Sequence, residues 1–512
     1  MSSEQIKYKN PLTVYKVADP FILKYNNKYY LYATSERGAG MSGGFEVWES
    51  PDLVNFEYKG FAYKSNEKSW GFDSFWAPEV LYYNGKFYLF YSAAGMIDGN
   101  KTLRICLAES NSPLGPFVDI KAPLFDFGYA AIDAHPFVDN GQVYLYYSRD
   151  CSENPTSDIY VVKLSKDLKN TIGEAKFLLT PSQSWEIGAK WNEGPFVVKH
   201  NNKYYLFYSA NFYASPDYSV GYAVSNNPLG PFIKAKENPI LKKNSFVTGP
   251  GHNSVVKSPD DREYFIVYHT QMIKEGTYLR QLAIDRLLFT KDGKVKVIGP
   301  TYTPQPLPSG SKVPKLASSD NFNSTKLDRS KWFIIGQNNI SLTAKKGNLR
   351  IKTYQTNLQN IKNDNLDVSN IIIQYTNDLN FSIETSLSPL QKSYGDRAGL
   401  IIFQDYDNYI ELVRIDGDKK TYIEFYYCLK GTIFSKKIEI SNSSKNIALK
   451  IEKKANKYTS MYKSDNNKKW TNIAEYSGSN FDITRVGITA YSPMSTDSIY
   501  DFDYFNYTRI VK

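Results

Sequence analysis

One phrase is written into this chain five times, and it constrains the fold more than any other feature. It reads Asn-Asn-Lys-Tyr-Tyr-Leu-Tyr ending at Tyr32 and Asn-Gly-Lys-Phe-Tyr-Leu-Phe ending at Phe90. It returns as Asn-Gly-Gln-Val-Tyr-Leu-Tyr ending at Tyr146 and Asn-Asn-Lys-Tyr-Tyr-Leu-Phe ending at Phe207. A worn fifth copy, Asp-Asp-Arg-Glu-Tyr-Phe-Ile, ends at Ile266. The shared tyrosines, Tyr30, Tyr88, Tyr144, Tyr205 and Tyr264, are spaced about sixty residues apart, the mark of a repeat architecture.

Each copy has the grammar of a β-hairpin. A short apolar run meets a two-residue polar turn: Asn26-Asn27, Asn84-Gly85, Asn140-Gly141 or Asn201-Asn202. Asn and Gly tolerate the positive φ that such turns require. An aromatic, β-rich run follows, then a further strand, a turn and a short closing strand. The turn is Ser-Pro-Leu-Gly-Pro-Phe at 112–117 and Asn-Pro-Leu-Gly-Pro-Phe at 227–232. Four strands per period are the content of one propeller blade, so residues 1–305 predict a five-bladed β-propeller. Helical apolar periodicity is scarce there, which argues against an α/β barrel.

At 512 residues the chain is too long for one ordinary core. Five prolines fall within residues 300–314, so a stiff connector is expected at 306–317. Residues 318–512 read as short alternating strands, for example 381–386, 398–403, 409–414 and 486–491, and predict a β-sandwich. The fold class is therefore all-β. Asp320-Asn-Phe322 and the closing strand near 500–510 are expected to lie close together.

Three cysteines, Cys106, Cys151 and Cys428, lack the paired spacing of a disulfide framework or zinc site. The formal charge of +10 comes from 62 basic against 52 acidic residues. The lysines are scattered, which describes a solvated surface better than a nucleic-acid patch. No run approaches eighteen apolar residues, so no membrane partner is expected. Residues 1–10 are polar without an apolar stretch, and the expectation is a cytoplasmic protein. Whether the chain forms a homo-oligomer is left open.

Tyrosine supplies 42 of the 78 aromatic residues, many of them strand filler, so aromatic richness alone marks no site. The stronger signal precedes each repeated phrase, where the innermost strand of a blade begins at the mouth of the central channel. There the chain reads Ala-Asp19-Pro-Phe, Trp76-Ala-Pro-Glu79, Asp133-Ala-His135-Pro-Phe, Asn-Glu193-Gly-Pro-Phe and Gly-His252-Asn-Ser. The reading places Asp19, Asp133 and Glu193 at equivalent positions. Singly, an Asp before Pro is often a plain turn, Glu79 can form an ion pair, and Trp76 or His252 can be structural. Together, carboxylates converging on one channel must shift one another's protonation, which stability would not favour. Two carboxylates across a pocket suit glycosidic cleavage, one protonated and one ionised. A third can hold the acid protonated by like-charge repulsion. Trp76 at a channel mouth would form a stacking floor for a sugar ring.

These motifs, one per blade and joined by Leu-Arg280-Gln-Leu, resemble glycoside hydrolase family 43. The resemblance implies an inverting enzyme acting on α-L-arabinofuranosides and β-D-xylosides. It implies Asp19 as general base, Glu193 as general acid and Asp133 as modulator of the acid's pKa. Base and acid carboxyls are then expected about 6.5–9.5 Å apart. The resemblance gives Trp76 and Arg280 to substrate binding; on its own terms Arg280 could instead pair with Asp285. His252 matches a histidine near a calcium or other ion in the channel, although no cofactor is required for the reaction. Arg397-Ala-Gly-Leu-Ile-Ile-Phe and Val486-Gly-Ile-Thr-Ala-Tyr resemble the concanavalin-like sandwich that follows the propeller in many exo-acting members. The expectation is an exo-glycosidase taking terminal arabinofuranose or xylose from short plant-cell-wall oligosaccharides. An endo-arabinanase and a non-catalytic carbohydrate-binding propeller are the alternatives.

Overall fold

The computed structural model describes residues 6–14, 16–35, 43–272, 279–335, 343–345, 347–354, 370–417, 419–430, 432–441, 444–465, 467–492 and 497–511. The first five residues of the polar N-terminal stretch thus lie outside the described residues. Among the described residues the only helical element is a 3-10 turn, Ser184–Glu186. Among the described residues no helix is long and apolar enough to cross a membrane. The chain divides into two compact units, one of Lys9–Val54 and Lys59–Ser311, the other of Met1–Tyr8, Asn55–Tyr58 and Lys312–Lys512.

The first unit is built on five four-stranded antiparallel sheets, each with its strands in sequence order. Their first strands are Val17–Tyr25, Asp73–Tyr83, Ala131–Asp139, Asn192–His200 and Gly251–Lys257. The repeated phrase is the turn and second strand of each blade. Asn26, Asn27, Asn84, Asn140, Asn201 and Asn202 all adopt positive φ, between 48° and 60°, as tight hairpins demand. The following Leu31, Leu89, Leu145 and Leu206 are fully buried, and each anchors its blade.

The fifth copy corrects the sequence reading by one residue. Val256 pairs with Phe265 as Leu23 pairs with Tyr30, so Phe265, not Tyr264, matches the shared tyrosines. Buried Ile266 then takes the leucine position. The cause is a longer turn: Lys257 pairs with Tyr264 across six residues, where Tyr25 pairs with Lys28 across two.

The ring closes by packing the first strand of blade five against that of blade one. Ser254 Oγ donates to Pro20 O at 2.9 Å, and Tyr29 Oη to Lys257 O at 2.9 Å. The segment before blade one adds a clasp along the third strand of blade five. Leu12 N–H donates to Leu282 O at 2.8 Å. The Asn10 amide both donates to Ile284 O at 2.7 Å and accepts from Ile284 N–H at 3.0 Å.

The second unit is a sandwich of two seven-stranded sheets. Leu400, Ile402, Leu412 and Phe425 from one sheet meet Ile383, Leu449, Ile451 and Phe502 from the other, all fully buried. Around Phe425 and Ile451 buried residues alternate with more exposed ones, the period-two pattern of a half-buried strand, whereas the strands Arg397–Asp405 and Asn408–Asp416 are buried on both faces. Asp320 and Phe505 exchange backbone hydrogen bonds at 2.7 and 2.8 Å, joining the opening of this unit to its closing strand.

Candidate active site

The first strand of every blade carries a β-bulge near its start. At each bulge one residue sits in the left-handed region: Asp19, Ala77, Asp133, Gly194 and His252, with φ between 45° and 58°. A bulge re-aims a side chain and frees a backbone N–H from the ladder. These five residues are the true structural equivalents. Glu193 and Trp76 stand one position earlier, opposite Ser209 and Ser92, so placing Glu193 in register with Asp19 and Asp133 was off by one. Blade four puts Gly at the bulge itself, and a Cβ there would come within 3.2 Å of the His252 ring.

The freed N–H groups are taken up by the neighbouring blade. Ala77 N–H donates to Thr34 Oγ1 at 2.8 Å, Asp133 N–H to Ser92 Oγ at 3.0 Å, and His252 N–H to Ser209 Oγ at 2.8 Å. Asp19 N–H donates to His269 Nδ1 at 3.2 Å. One rung differs: Gly194 N–H donates to the Asp133 carboxylate, Oδ2, at 3.1 Å, and Ser148 Oγ donates to the same oxygen at 3.3 Å. A ring of backbone rungs thus positions the carboxylates and ties them to one another.

Asp19, Asp133, Glu193, Trp76, Arg280 and His252 all line one cavity of about 330 Å³. Asp19 is nearly buried, and burial alone would raise its pKa. His252 Nδ1 and Arg280 Nη1, 3.3 and 3.2 Å from Oδ1, outweigh that together with the Thr34 hydroxyl, which donates to Oδ2 at 2.7 Å. They hold the carboxyl at about 2. Asp133 goes the other way, to about 6, because burial and the nearby Asp19 exceed the help of His252 and Gly194 N–H. Glu193 is raised well above the ordinary carboxylate range, by burial first and then by Asp133, with Asp150 and Asp19 adding to it. Three carboxyls in one pocket therefore separate into one ionised and one protonated group with a third between them.

Trp76 is 36 % exposed and lines this cavity. Arg280 pairs with Asp19 and lies 4.8 Å over the Tyr213 ring. Asp285 accepts instead from Tyr268 Oη at 2.6 Å and Thr301 Oγ1 at 2.6 Å. Glu79 is paired with His135, its Oε2 2.7 Å from Nδ1. Sequence reasoning missed Asp150, Cys151, Trp191 and Tyr213, which also line the cavity. Trp191 stands two residues before Glu193 and was within reach of motif reading, whereas Tyr213 carries no signal in the chain. His269 was also missed; it is fully buried and burial keeps it neutral. Behind the site, Lys234 Nζ donates to both Glu186 oxygens at 2.8 and 2.6 Å and to Asn192 Oδ1 at 2.8 Å. That buried ion pair anchors the residue next to Glu193.

A calcium ion asks for six to eight oxygen donors. Among the described residues no group of three or more His, Cys, Asp or Glu side chains could hold a metal ion. His252 Nδ1 is directed at Asp19. This donor set does not fit a protein-built calcium cage, and the chemistry below uses none.

Carboxyls of unlike protonation facing one pocket can serve as acid and base in glycosidic cleavage. The profile of Glycosyl hydrolases family 43 matches residues 8–295, more than half of the chain, and the chain belongs to that family. The profile of the beta xylosidase C-terminal concanavalin A-like domain matches residues 319–508. A crystal structure of a thermostable family-43 glycoside hydrolase is 52 % identical, covers 59 % of this chain and all of its own, and has a TM-score of 0.56. A beta-D-galactofuranosidase of Aspergillus niger is 26 % identical over 57 % of this chain and 86 % of its own length. An extracellular exo-alpha-(1->5)-L-arabinofuranosidase of Streptomyces avermitilis is 28 % identical over 54 % of this chain. The match spans 58 % of that relative's length.

Proposed function

We propose that this glycoside hydrolase is an inverting exo-enzyme releasing terminal α-L-arabinofuranose, or β-D-xylose, from short plant-cell-wall oligosaccharides. Asp19, ionised, accepts a proton from the attacking water. Glu193, protonated, donates to the departing glycosidic oxygen. Asp133 keeps Glu193 protonated by charge repulsion and holds it through the Gly194 N–H. Arg280 and His252 keep Asp19 ionised, Trp76 offers its face to the sugar, and no cofactor is needed.

The observation that carries this reading is the opposite displacement of Asp19 and Glu193 within one cavity. A binding module has no use for such a division of protonation. The cavity is at the small end of ligand pockets, which supports removal of single sugars over cleavage within a polymer. The arabinofuranosidase among the relatives supports the pentofuranoside reading.

The test is a panel of nitrophenyl arabinofuranoside, xyloside and galactofuranoside together with arabino- and xylo-oligosaccharides, with product anomers followed by NMR. Inverted monosaccharide is expected as the first product. A retained anomer overturns the mechanism, and internal cleavage overturns the exo reading. Glu193→Ala is expected to slow oligosaccharide turnover by about 10²–10⁴-fold; undiminished turnover removes Glu193 from the acid role.

A further inference from the structure

We propose that Tyr218 is a positioning residue for Glu193, holding Oε1 so that the transferable proton sits on Oε2. The inference rests on the reading of Glu193 as the acid. Tyr218 is fully buried just before the third strand of blade four, Ser219–Ser225, and does not line the cavity. Its hydroxyl donates to Glu193 Oε1 at 2.7 Å. An oxygen accepting that bond is a poor place for the proton, which leaves Oε2 to carry it. Once the proton is given up, the same bond becomes charge-assisted and stabilises the carboxylate. Tyr218 therefore helps most when the leaving group is poor and proton donation is advanced.

The ring is as deliberately placed as the hydroxyl. It stacks on His269 with centroids 5.5 Å apart and planes 6° from parallel. His269 Nδ1 accepts the Asp19 N–H, so it carries its proton on Nε2. The same ring lies against Gly251, the cross-strand partner of His269, where a Cβ would fall 2.2 Å from it. One aromatic ring thus connects the strand bearing the acid to the imidazole that seats the base. Only glycine at 251 leaves room for it.

Glu193 is also faced by Asp133 from blade three, by Asp150 and Cys151 after the second strand of that blade, and by Asp19 from blade one. The His252 ring packs on Gly194, and Arg280 lines the same cavity. Replacing Tyr218 by Phe leaves all of these in place and removes a single donor to the carboxylate. The alkaline limb of the pH profile, set by loss of the Glu193 proton, then moves upward, because the ionised form loses stabilisation.

The experiment compares Tyr218→Phe with the parent enzyme on the methyl and 2,4-dinitrophenyl glycosides of the sugar released. Turnover of the methyl glycoside is expected to fall roughly 10–100-fold, within the range of general-acid contributions, while the dinitrophenyl glycoside changes by less than about 3-fold. The dinitrophenyl rate doubles as proof of folding. Equal losses on both substrates, or an alkaline limb that does not rise, overturn the proposal. Gly251→Ala, which presses a methyl against the ring, is expected to give the same selective loss. It decides the matter if Tyr218→Phe does not fold. Glu193→Gln separates the two readings. If it spares the methyl glycoside, the acid assignment itself fails; if it is selective and Tyr218→Phe is not, only the role of Tyr218 is lost.

Discussion

Asp19, Asp133 and Glu193 are chemically near-identical side chains in three different electrostatic settings. Asp133 has the clearest thermodynamic consequence. A buried carboxyl held at about 6 rather than 3.8 is harder to ionise in the folded than in the unfolded chain. Between those values the folded state binds the extra proton, so stability falls as pH rises through that window. Ionising Asp133 in the folded chain therefore costs stability at pH 8 that is absent at pH 4. Asp133→Asn is therefore expected to stabilise the protein by about 1–3 kcal/mol in urea unfolding at pH 8 and by little at pH 4, while kcat falls about 100-fold or more. A gain of the same size at both pH values would contradict this account. These three carboxyls were readable in the chain because each sits in a short motif before a repeated strand. Tyr218 was not, because its meaning comes from a contact 25 residues away with Glu193 and from the space left by Gly251.

The bulge, not the hairpin, is the element on which the site is built. Its left-handed residue directs one N–H toward the preceding blade, and that residue or the one before it turns a side chain toward the cavity. Ser92→Ala would leave the buried Asp133 N–H without its acceptor. The expected loss is about 1–3 kcal/mol of stability, with a fall in activity as Asp133 loses its seat. Ser92→Thr, which retains the hydroxyl, should recover most of both. Chemical denaturation alongside kcat would show this, and an unaffected Ser92→Ala would mean the rung is incidental. The hairpins were legible because Asn-Gly and Asn-Asn turns are local chemistry. The bulges were not, since no residue type marks them: Asp, Ala, Gly and His all occupy the position. For that reason Glu193 was aligned one residue out of register, and the longer fifth turn hid the slip of Tyr264.

On the scale of the whole molecule, stability depends on closing a ring. The clasp of residues 10–14 on blade five fastens the start of the propeller to its last blade. Asn10 is 2 % exposed, and its amide answers both backbone groups of Ile284. Asn10→Ala is expected to cost about 2–4 kcal/mol and to lower the unfolding midpoint markedly; a change below about 0.5 kcal/mol would show that the ring closes without the clasp. The chain by itself determined the number of blades, the all-β class, the sandwich and the residue types at the channel mouth. All of these follow from local periodicity, turn chemistry and the repetition of one phrase. Only the tertiary structure decided which carboxyl is ionised and which is protonated, and which partners enforce the difference. Protonation depends on burial and on charges a few ångströms away, and those neighbours come from blades as far as 261 residues apart, as Arg280 and Asp19 do.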